Sequence, residues 1–390
     1  MTDHFDIAVI GRGLMGSACA RHLAETGVRT ALIGPDEPPD PGACQGPFGS
    51  HHDQGRITRH LAHDADWSRL SSRSIARYGA LEAESGLNIF TPCGGMISGP
   101  ETGPGSDVIH HVLDVAKALA TPHDRLDAAA LPDRFPFFRF APGHLAAWEA
   151  DGGYINPRAL RDAEGILAAR AGAQIIRQAV TGLQSGTLQL ADGTTFTAGH
   201  VVMATGGYAA TNGLLLARPK MRVYARTIVF AEVDETEATR LAHMPSLIFF
   251  PQNGTYDLYL LPPIRYPDGK LYIKIGGETD SPRLTDDAQM TAWFHSDGNA
   301  EAGAKLLGHL RDLMPDLAIR STHTGACVVS FTDTGYPYVA RLSDHLTLLT
   351  GGNGAGAKCC DELGRLGAKT ALGDGFASEG YDTDFHAVLA

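Results

Sequence analysis

The start of the chain alternates between apolar runs and a glycine-rich turn. Residues 7–10 are uninterruptedly apolar, which is typical of a strand buried on both faces of a parallel sheet. A helix is predicted over residues 14–25, ending near Gly27, and a second strand over residues 29–33. The pattern therefore predicts a strand–helix–strand unit joined by a tight turn.

A buried strand followed by small residues recurs twice. The strand predicted over residues 200–203 runs into Ala-Thr-Gly-Gly, and the strand over residues 346–350 runs into a glycine loop and a helix. Further helices are predicted over residues 66–86, 108–119, 157–170 and 300–314, the third with Asn156 as N-cap. Further strands are predicted over residues 174–180, 187–190, 223–233, 256–261, 269–277 and 321–330. The chain is therefore expected to be an α/β protein with a second, more antiparallel sheet.

The first turn carries the spacing G-x-G-x-x-G at Gly11, Gly13 and Gly16. The first glycine permits a tight turn, the second lets a pyrophosphate approach the backbone, and the third lets the helix pack on the strand. The pyrophosphate would lie at the positive N-terminus of the helix. NAD, NADP and FAD proteins share this motif, so it leaves the nucleotide open.

The end of the second predicted strand departs from that motif. An acidic residue is expected there to hold the ribose hydroxyls, but Gly34 occupies the position. Asp36 and Glu37 are the nearby carboxylates that can take this role.

Net charge and composition exclude several classes of function. The chain has 32 Lys and Arg against 44 Asp and Glu, a formal net charge of −12, whereas nucleic-acid binding relies on a basic surface. No apolar run approaches the ~20 residues of a membrane span, and the N-terminus runs straight into the first strand without a signal peptide. The 6 cysteines form no C-x-x-C pair, which argues against a zinc site and favours a reducing, cytoplasmic location.

Cationic side chains follow the glycine segments. Residues 50–60 concentrate histidines and arginines, and a guanidinium can grip a carboxylate through two hydrogen bonds. Lys274 lies between Ile273 and Ile275 in a predicted strand, so its side chain points to the opposite face from theirs. Lys358 follows the last glycine loop. The pattern indicates binding of a small anion near the nucleotide.

These segments resemble the D-amino-acid oxidase superfamily of flavoproteins, and within it the group of monomeric sarcosine oxidase and N-methyltryptophan oxidase. The resemblance covers nearly the whole chain and rests on Gly11–Gly16, Gly49–His52 with Arg56 and Arg59, Lys274–Gly276, Cys327 and Gly351–Lys358. Three separate glycine segments favour FAD over NAD, since an NAD enzyme usually needs only the first.

The resemblance implies an α/β fold with two domains. The first is a glutathione-reductase-type, Rossmann-like FAD-binding domain, assigned to residues 1–90, 146–220 and 322–390. The second is a mixed-sheet α+β substrate domain, assigned to residues 91–145 and 221–321.

The implied activity is FAD-dependent oxidation of a secondary amino acid, of the N-alkylglycine type such as sarcosine or iminodiacetate. The product is an imine that water hydrolyses, and O2 is reduced to H2O2. Two alternatives stay open: an amino acid dehydrogenase that passes electrons to a carrier, and a non-catalytic nucleotide-binding module. The expected partners are a small anionic amine and O2, and the expected assembly is a monomer or a small homo-oligomer.

The resemblance also implies roles for individual residues. Lys274 and Arg56 would lie at the N5 edge of the flavin, where a cation stabilises charge during oxygen reduction, and His52 would lie over the ring. Arg59 and Lys358 would bind the substrate carboxylate. Tyr259 would line the substrate pocket, and Glu278 stands where the family carries a histidine.

The remaining residues implied by the resemblance would bind FAD. Cys327 would carry the flavin through a thioether, although Val329 replaces the aromatic residue that the family has two positions later. The other predicted cofactor residues are Gly11, Gly13, Leu14, Met15, Gly16, Asp36, Ser50, His51, Val180, Thr205, Gly206, Gly352, Asn353, Gly354, Gly356 and Lys358.

Overall fold

A computed structural model describes residues 4–38, 44, 46–252, 257–277 and 281–390. The helices of these residues are α1 (Leu14–Ala24), α2 (Ala65–Ser85), α3 (Ser106–Ala118), α4 (Ala130–Arg134), α5 (Pro157–Arg170), α6 (Glu235–Arg240), α7 (Asp287–Phe294), α8 (Ala300–Leu313) and α9 (Cys360–Leu372). None of the described helices is long and apolar enough to cross a membrane.

The strands of the first half of the chain are β1 (His4–Ile10), β2 (Thr30–Ile33), β3 (Arg56–Thr58), β4 (Phe90–Thr91), β5 (Gly95–Pro100), β6 (Asp124–Leu126), β7 (His144–Glu149), β8 (Gly153–Ile155), β9 (Gln174–Ile176), β10 (Val180–Gln184) and β11 (Thr187–Leu190). Those of the second half are β12 (Thr195–Met203), β13 (Met221–Val233), β14 (Ser246–Phe249), β15 (Leu258–Arg265), β16 (Leu271–Gly277), β17 (Arg283–Leu284), β18 (Ser321–Thr332), β19 (Tyr338–Ser343) and β20 (Leu346–Thr350).

The first sheet has a parallel core with antiparallel edges. Its parallel strands run in the order β9, β2, β1, β12 and β20, and β10, β11 and β19 extend it. Every residue of β2 is buried because helices cover the sheet, which is what its continuous apolar sequence predicts. Leu23 of α1 and Leu366 of α9 pack with Leu32 and Val202 in one buried cluster. The predicted Rossmann-like layer is confirmed.

The second sheet is mixed. Its order is β17, β13, β16, β15, β14, β5, β7 and β6, with β18 paired along the length of β13. Only β5 and β14 pair in parallel among its described strands. Helix α8 covers one face, where Leu306 and Leu310 pack with Val229 and Ile275. This arrangement confirms the predicted mixed α+β layer.

Sheet membership differs from the proposed domain edges at two strands. Strand β18 pairs antiparallel with β13 from Ser321 to Thr332, and β7 pairs with β5 as far as Glu149. Both strands therefore belong to the second sheet, although parts of them were assigned to the FAD-binding domain. The domain division itself stays a prediction.

A small third sheet positions the histidine–arginine segment. Strand β3 begins at Arg56 and pairs with β8, which also pairs with β4. Beyond β8, Asn156 caps α5 by accepting a hydrogen bond from the backbone N–H of Ala159 at 3.1 Å, with Pro157 at the first position. The cap predicted from the sequence is confirmed, and it fixes the exit of β8.

Candidate functional site

A cavity of about 560 Å³ opens where the parallel strands of the first sheet end. Its walls include Ile10 at the end of β1, Ile33 at the end of β2, Ala204 after β12 and Gly351 after β20. Ligands of open α/β sheets bind at the carboxyl ends of the strands. The three glycine segments found in the sequence therefore meet in one place.

The first glycine turn is built for a nearby anion. Gly11 has φ +114°, and a Cβ there would collide with the carbonyl oxygen of Ala204. A Cβ on Gly16 would collide with the carbonyl of Gly11, so Gly16 allows α1 to approach the turn. Gly13 lines the cavity and caps α1 without a side chain. The N-terminal backbone N–H groups of α1 are thus available for a pyrophosphate.

The last glycine loop folds tightly against the first turn. A Cβ on Gly356 would lie 2.8 Å from both the Cα of Gly352 and the methyl carbon of Met15. Asn353 has φ +46° and donates from its amide to the carbonyl of Gly351 at 2.7 Å. Its carbonyl oxygen accepts from the backbone N–H of Thr332 at 2.9 Å. Asn353 therefore holds the loop on β18.

The cavity gathers most of the predicted cofactor residues. Those in its walls are Gly11, Gly13, Leu14, Met15, Asp36, Ser50, His51, Val180, Thr205, Gly206, Cys327, Gly352, Gly354 and Gly356. Gly16, Asn353 and Lys358 are absent from its described walls. Gly16 and Asn353 shape the backbone that forms the walls, and Lys358 lies behind the walls.

At one end of the cavity, Asp36 supplies the carboxylate that Gly34 lacks. A side chain at position 34 would lie 2.8 Å from the backbone nitrogen of Arg12. The Arg12 guanidinium instead donates to Asp36 at 2.6 Å and to the carbonyl of Gly34 at 3.1 Å. Arg158 binds both oxygens of Glu37, and Arg12 and Arg177 bind one oxygen each of Asp36. Of the two acids, Asp36 is the one in the cavity wall.

At the other end, two histidines present unpartnered nitrogens. His51 Nε2 and His52 Nδ1 are buried and have no hydrogen-bond partner among the described residues. Burial lowers the pKa of His52 to about 4 and that of His51 well below its ordinary value. Both rings are therefore neutral at pH 7. The glycine cradle, the free helix N-terminus and these orphaned nitrogens fit FAD.

Cys327 lies on β18 at the same end. Its Sγ accepts a hydrogen bond from the guanidinium of Arg56 at 3.5 Å. The indole N–H of Trp293 donates to the Cys327 carbonyl at 2.7 Å and fixes the backbone. The thiol is therefore held at the cavity wall beside a positive charge.

The predicted N5-edge cations meet at an acid that the sequence analysis missed. Lys274 is 0% exposed, and its ammonium donates to the Asp53 carboxylate at 2.5 Å and to the carbonyl of Gly55. Arg56 forms an ion pair with the same carboxylate and donates to the carbonyl of Ser50 at 2.7 Å. The sequence signal that could have identified Asp53 was its place inside the histidine–arginine segment, residues 50–60.

Burial has the largest effect on Lys274. It lowers the pKa of the ammonium well below its ordinary value, and the field of Arg56 lowers it further. The Asp53 carboxylate accepts a hydrogen bond from this ammonium at 2.5 Å. Lys274 thus lies on the opposite strand face from Ile273 and Ile275, as predicted, but that face is buried against a carboxylate.

Arg59 and Lys358 lie together behind the cavity. Burial lowers the pKa of Arg59 and lowers that of Lys358 to about 8, and the Arg59 charge contributes to the second shift. Arg59 donates to the carbonyl of Leu61, and its Nε has no partner among the described residues. Lys358 Nζ lies 3.5 Å from the carbonyl oxygen of Trp67. The site therefore holds two poorly neutralised buried cations.

Glu149 is a second acid that sequence analysis missed. Its carboxylate accepts from the backbone N–H groups of His60 at 2.8 Å and Leu61 at 3.0 Å, which fixes the backbone after Arg59. Burial raises its pKa to about 7, against the opposing fields of Arg59 and Lys358. Glu149 therefore anchors this segment more than it neutralises the cations.

Of the two other predicted substrate residues, Tyr259 and Glu278, the structure describes Tyr259. The Tyr259 ring lies 5.8 Å from Lys274 Nζ, and its hydroxyl packs on Gly276. Tyr259 is thus beside the cation cluster. Glu278 lies outside the described residues.

Comparison with known proteins agrees with this geometry. Residues 6–370 match the DAO family, described as FAD dependent oxidoreductase. The chain is 24% identical to a monomeric sarcosine oxidase of Bacillus sp. (strain B-0618), over 95% of this chain and 93% of that protein. It is 28% identical to a monomeric sarcosine oxidase of Streptomyces avermitilis, over 95% and 94%.

The fold is also similar to a solved structure. NikD, an unusual amino acid oxidase essential for nikkomycin biosynthesis, superimposes with a TM-score of 0.76 at 22% identity, covering 100% of this chain and 98% of that one. The family match spans most of the chain and includes all three glycine segments. The chain therefore belongs to the DAO family of FAD-dependent oxidoreductases, and its cofactor is FAD.

Proposed function

We propose that the protein oxidises a secondary amino acid of the N-alkylglycine type, such as sarcosine or iminodiacetate, at its CH–NH bond. The observation that carries this proposal is the buried pair of Arg59 and Lys358, whose charges are poorly neutralised. Lys358 directly follows Ala357, which lines the FAD cavity. A carboxylate placed between these cations would bring the neighbouring amine to the cofactor.

Bound FAD supplies the two-electron acceptance in this reaction, and the chain supplies binding and orientation. Arg59 would donate two hydrogen bonds to the carboxylate, and Lys358 would add a point charge. The neutral His52 ring can accept a hydrogen bond at the cavity wall without adding charge. Two relatives that match nearly the whole chain are named sarcosine oxidases, which supports an N-methyl amino acid as substrate.

Lys274 and Arg56 are proposed to serve the reaction with O2. Arg56 lies in the wall that carries Cys327, and Lys274 is joined to Arg56 through the shared Asp53 carboxylate. A preorganised positive charge there would stabilise the negative charge that oxygen gains. The product imine would hydrolyse in water, and H2O2 would leave. Tyr259 and Glu278 are proposed to line the substrate pocket.

The test replaces each carboxylate-binding cation by methionine, which keeps much of its volume. Arg59→Met and Lys358→Met should each raise KM for sarcosine at least about tenfold, because a hydrogen bond to a charged group contributes about 1.5–3 kcal/mol. Steady-state H2O2 production measures this. N-methylpropylamine carries the secondary amine without the carboxylate, and its KM should change little.

Lys117→Met removes an exposed lysine of α3 and serves as the matched control, with both KM values unchanged. Equal effects of Arg59→Met and Lys358→Met on the two substrates would contradict the carboxylate assignment.

A further inference from the structure

A side chamber of about 310 Å³ adjoins the FAD cavity beside Lys274. Its walls include Asp53, Arg56, Tyr266, Tyr272, His323 and Cys327. The chamber shares Arg56 and Cys327 with the FAD cavity. Its outer wall includes exposed His323, so the chamber reaches the protein surface.

Lys274 itself has no such access. Its side chain is 0% exposed, and its described hydrogen-bond acceptors are the Asp53 carboxylate and the carbonyl of Gly55. A backbone carbonyl cannot deliver a proton under these conditions, whereas a carboxylate can accept and donate one. Of the described hydrogen-bond partners of Lys274, Asp53 is therefore the one that can return a proton to it.

Asp53 lines the chamber, and its carboxylate accepts a hydrogen bond from a hydroxyl in the same wall. The phenol of Tyr266 donates to Asp53 Oδ1 at 2.8 Å, while Lys274 donates to Oδ2 of the same carboxylate at 2.5 Å. Asp53 is 5% exposed, and Tyr266 is half-buried in the chamber wall. The contacts thus form a continuous chain from Lys274 through Asp53 and Tyr266 to the chamber.

We propose that Asp53 and Tyr266 form the path that returns protons from the side chamber to Lys274 during the reaction with O2. The proposal rests on the proposed function in taking O2 as the electron acceptor and Lys274 as a group that serves the reaction with O2. Arg56 forms an ion pair with Asp53 Oδ2, the oxygen that also accepts from Lys274, and so holds the carboxylate beside both cations.

The proton balance requires such a path. Reduction of O2 to H2O2 consumes two electrons and two protons. Bound reduced FAD would supply both electrons and one proton, which leaves the second proton to Lys274. Asp53 then passes one proton to the Lys274 amine while it receives one from the Tyr266 hydroxyl. Tyr266 takes a proton from solvent in the chamber, so each group ends the cycle as it began.

The experiment isolates the reaction with oxygen. The holoenzyme is reduced photochemically without an amino acid and mixed with O2 in a stopped-flow instrument, and flavin absorbance reports reoxidation. Tyr266→Phe should slow reoxidation by about 100-fold, the lower end of the loss expected when a general acid is removed. It should also raise the solvent deuterium isotope effect, and imidazolium buffer should restore the rate as its concentration increases.

Tyr272→Phe is the matched control. Tyr272 lies in the same chamber wall, 5.4 Å from the Tyr266 ring, but its hydroxyl donates to Asp268 at 2.7 Å. Its removal should leave the rate, the isotope effect and the buffer response unchanged. The flavin midpoint potential should be the same in both variants, so that a slower Tyr266→Phe reflects proton supply and not driving force.

Two outcomes would overturn the proposal. One is a Tyr266→Phe protein whose reoxidation matches that of Tyr272→Phe in rate, isotope effect and buffer response. The other is an unmodified enzyme that reoxidises no faster than free reduced flavin. Neither result bears on oxidation of the amino acid, which is measured separately by anaerobic reduction with sarcosine.

Discussion

The Cys327 thiol faces two cavities, and the Arg56 guanidinium donates to it. A cysteine sulfur must reach the flavin to form a thioether, and Cys327 lies in the wall of the cavity that fits FAD. Its position therefore supports the covalent attachment that the sequence resemblance implies.

Cys327→Ser should retain FAD in the native protein but release it on denaturation. Trichloroacetic acid precipitation of the unmodified protein should leave the yellow colour in the pellet, and the variant should leave it in the supernatant. Cys93→Ser is the control, because Cys93 is another free cysteine outside the described walls of both cavities. Colour in the supernatant of the unmodified protein would show that the flavin is not covalently attached.

Lys358 gives the proposed substrate site a pH limit. Burial lowers its pKa to about 8, so deprotonation above that pH removes one of the two carboxylate-binding charges. KM for sarcosine should therefore rise as the pH passes 8. In Lys358→Arg the guanidinium stays charged, so KM should stay flat to higher pH. The substrate amine titrates identically in both assays; coincident KM–pH profiles would rule out this role of Lys358.

At the scale of elements, three helices behind the first sheet are joined by buried charges. Arg21 of α1 donates to Glu164 of α5 at 2.5 Å and to Asp361 of α9 at 2.6 Å. Both carboxylates are fully buried, and burial raises the pKa of Glu164 to about 8. Arg21 therefore binds two carboxyl groups that water cannot reach.

Arg21→Met should lower the free energy of unfolding by about 3–5 kcal/mol, because it leaves the buried Glu164 without its partner and Asp361 with only Arg77 and His22 among its described partners. Urea denaturation measures the loss. Arg125→Met breaks an ion pair with Glu101 in which both side chains are about half exposed, so it should cost about 0–1 kcal/mol. Similar losses in the two variants would mean that the buried network contributes no more than a surface pair.

At the scale of the whole molecule, the site lies where the first and second sheets meet. The first sheet contributes the strand ends and glycine turns that fit a dinucleotide, and β18 of the second sheet contributes Cys327. The segment after Gly49 connects the FAD cavity with the side chamber, because Ser50 and His52 line both. Neither sheet alone encloses the cofactor end at which chemistry is proposed.

The sequence by itself determined features whose causes are local. The apolar runs predicted the parallel strands, the spacing of Gly11, Gly13 and Gly16 predicted the turn before α1, and Asn156 predicted the cap of α5. Each depends on residues within a few positions of one another, so backbone sterics and nearest-neighbour hydrogen bonds decide them. The family resemblance then named the cations, and the fold brings Lys274 and Arg56 to one carboxylate.

Only the tertiary structure decided which distant groups become partners. Asp53 meets Lys274 across 221 positions, and Tyr266 reaches Asp53 across 213. It also decided that Arg12 holds Asp36 while Arg158 takes Glu37, which nearby positions in the sequence could not distinguish. The physical reason is burial: a charge removed from water is stable only beside a counter-charge or hydrogen-bond partner. The packing of the two sheets, rather than any sequence spacing, places that partner.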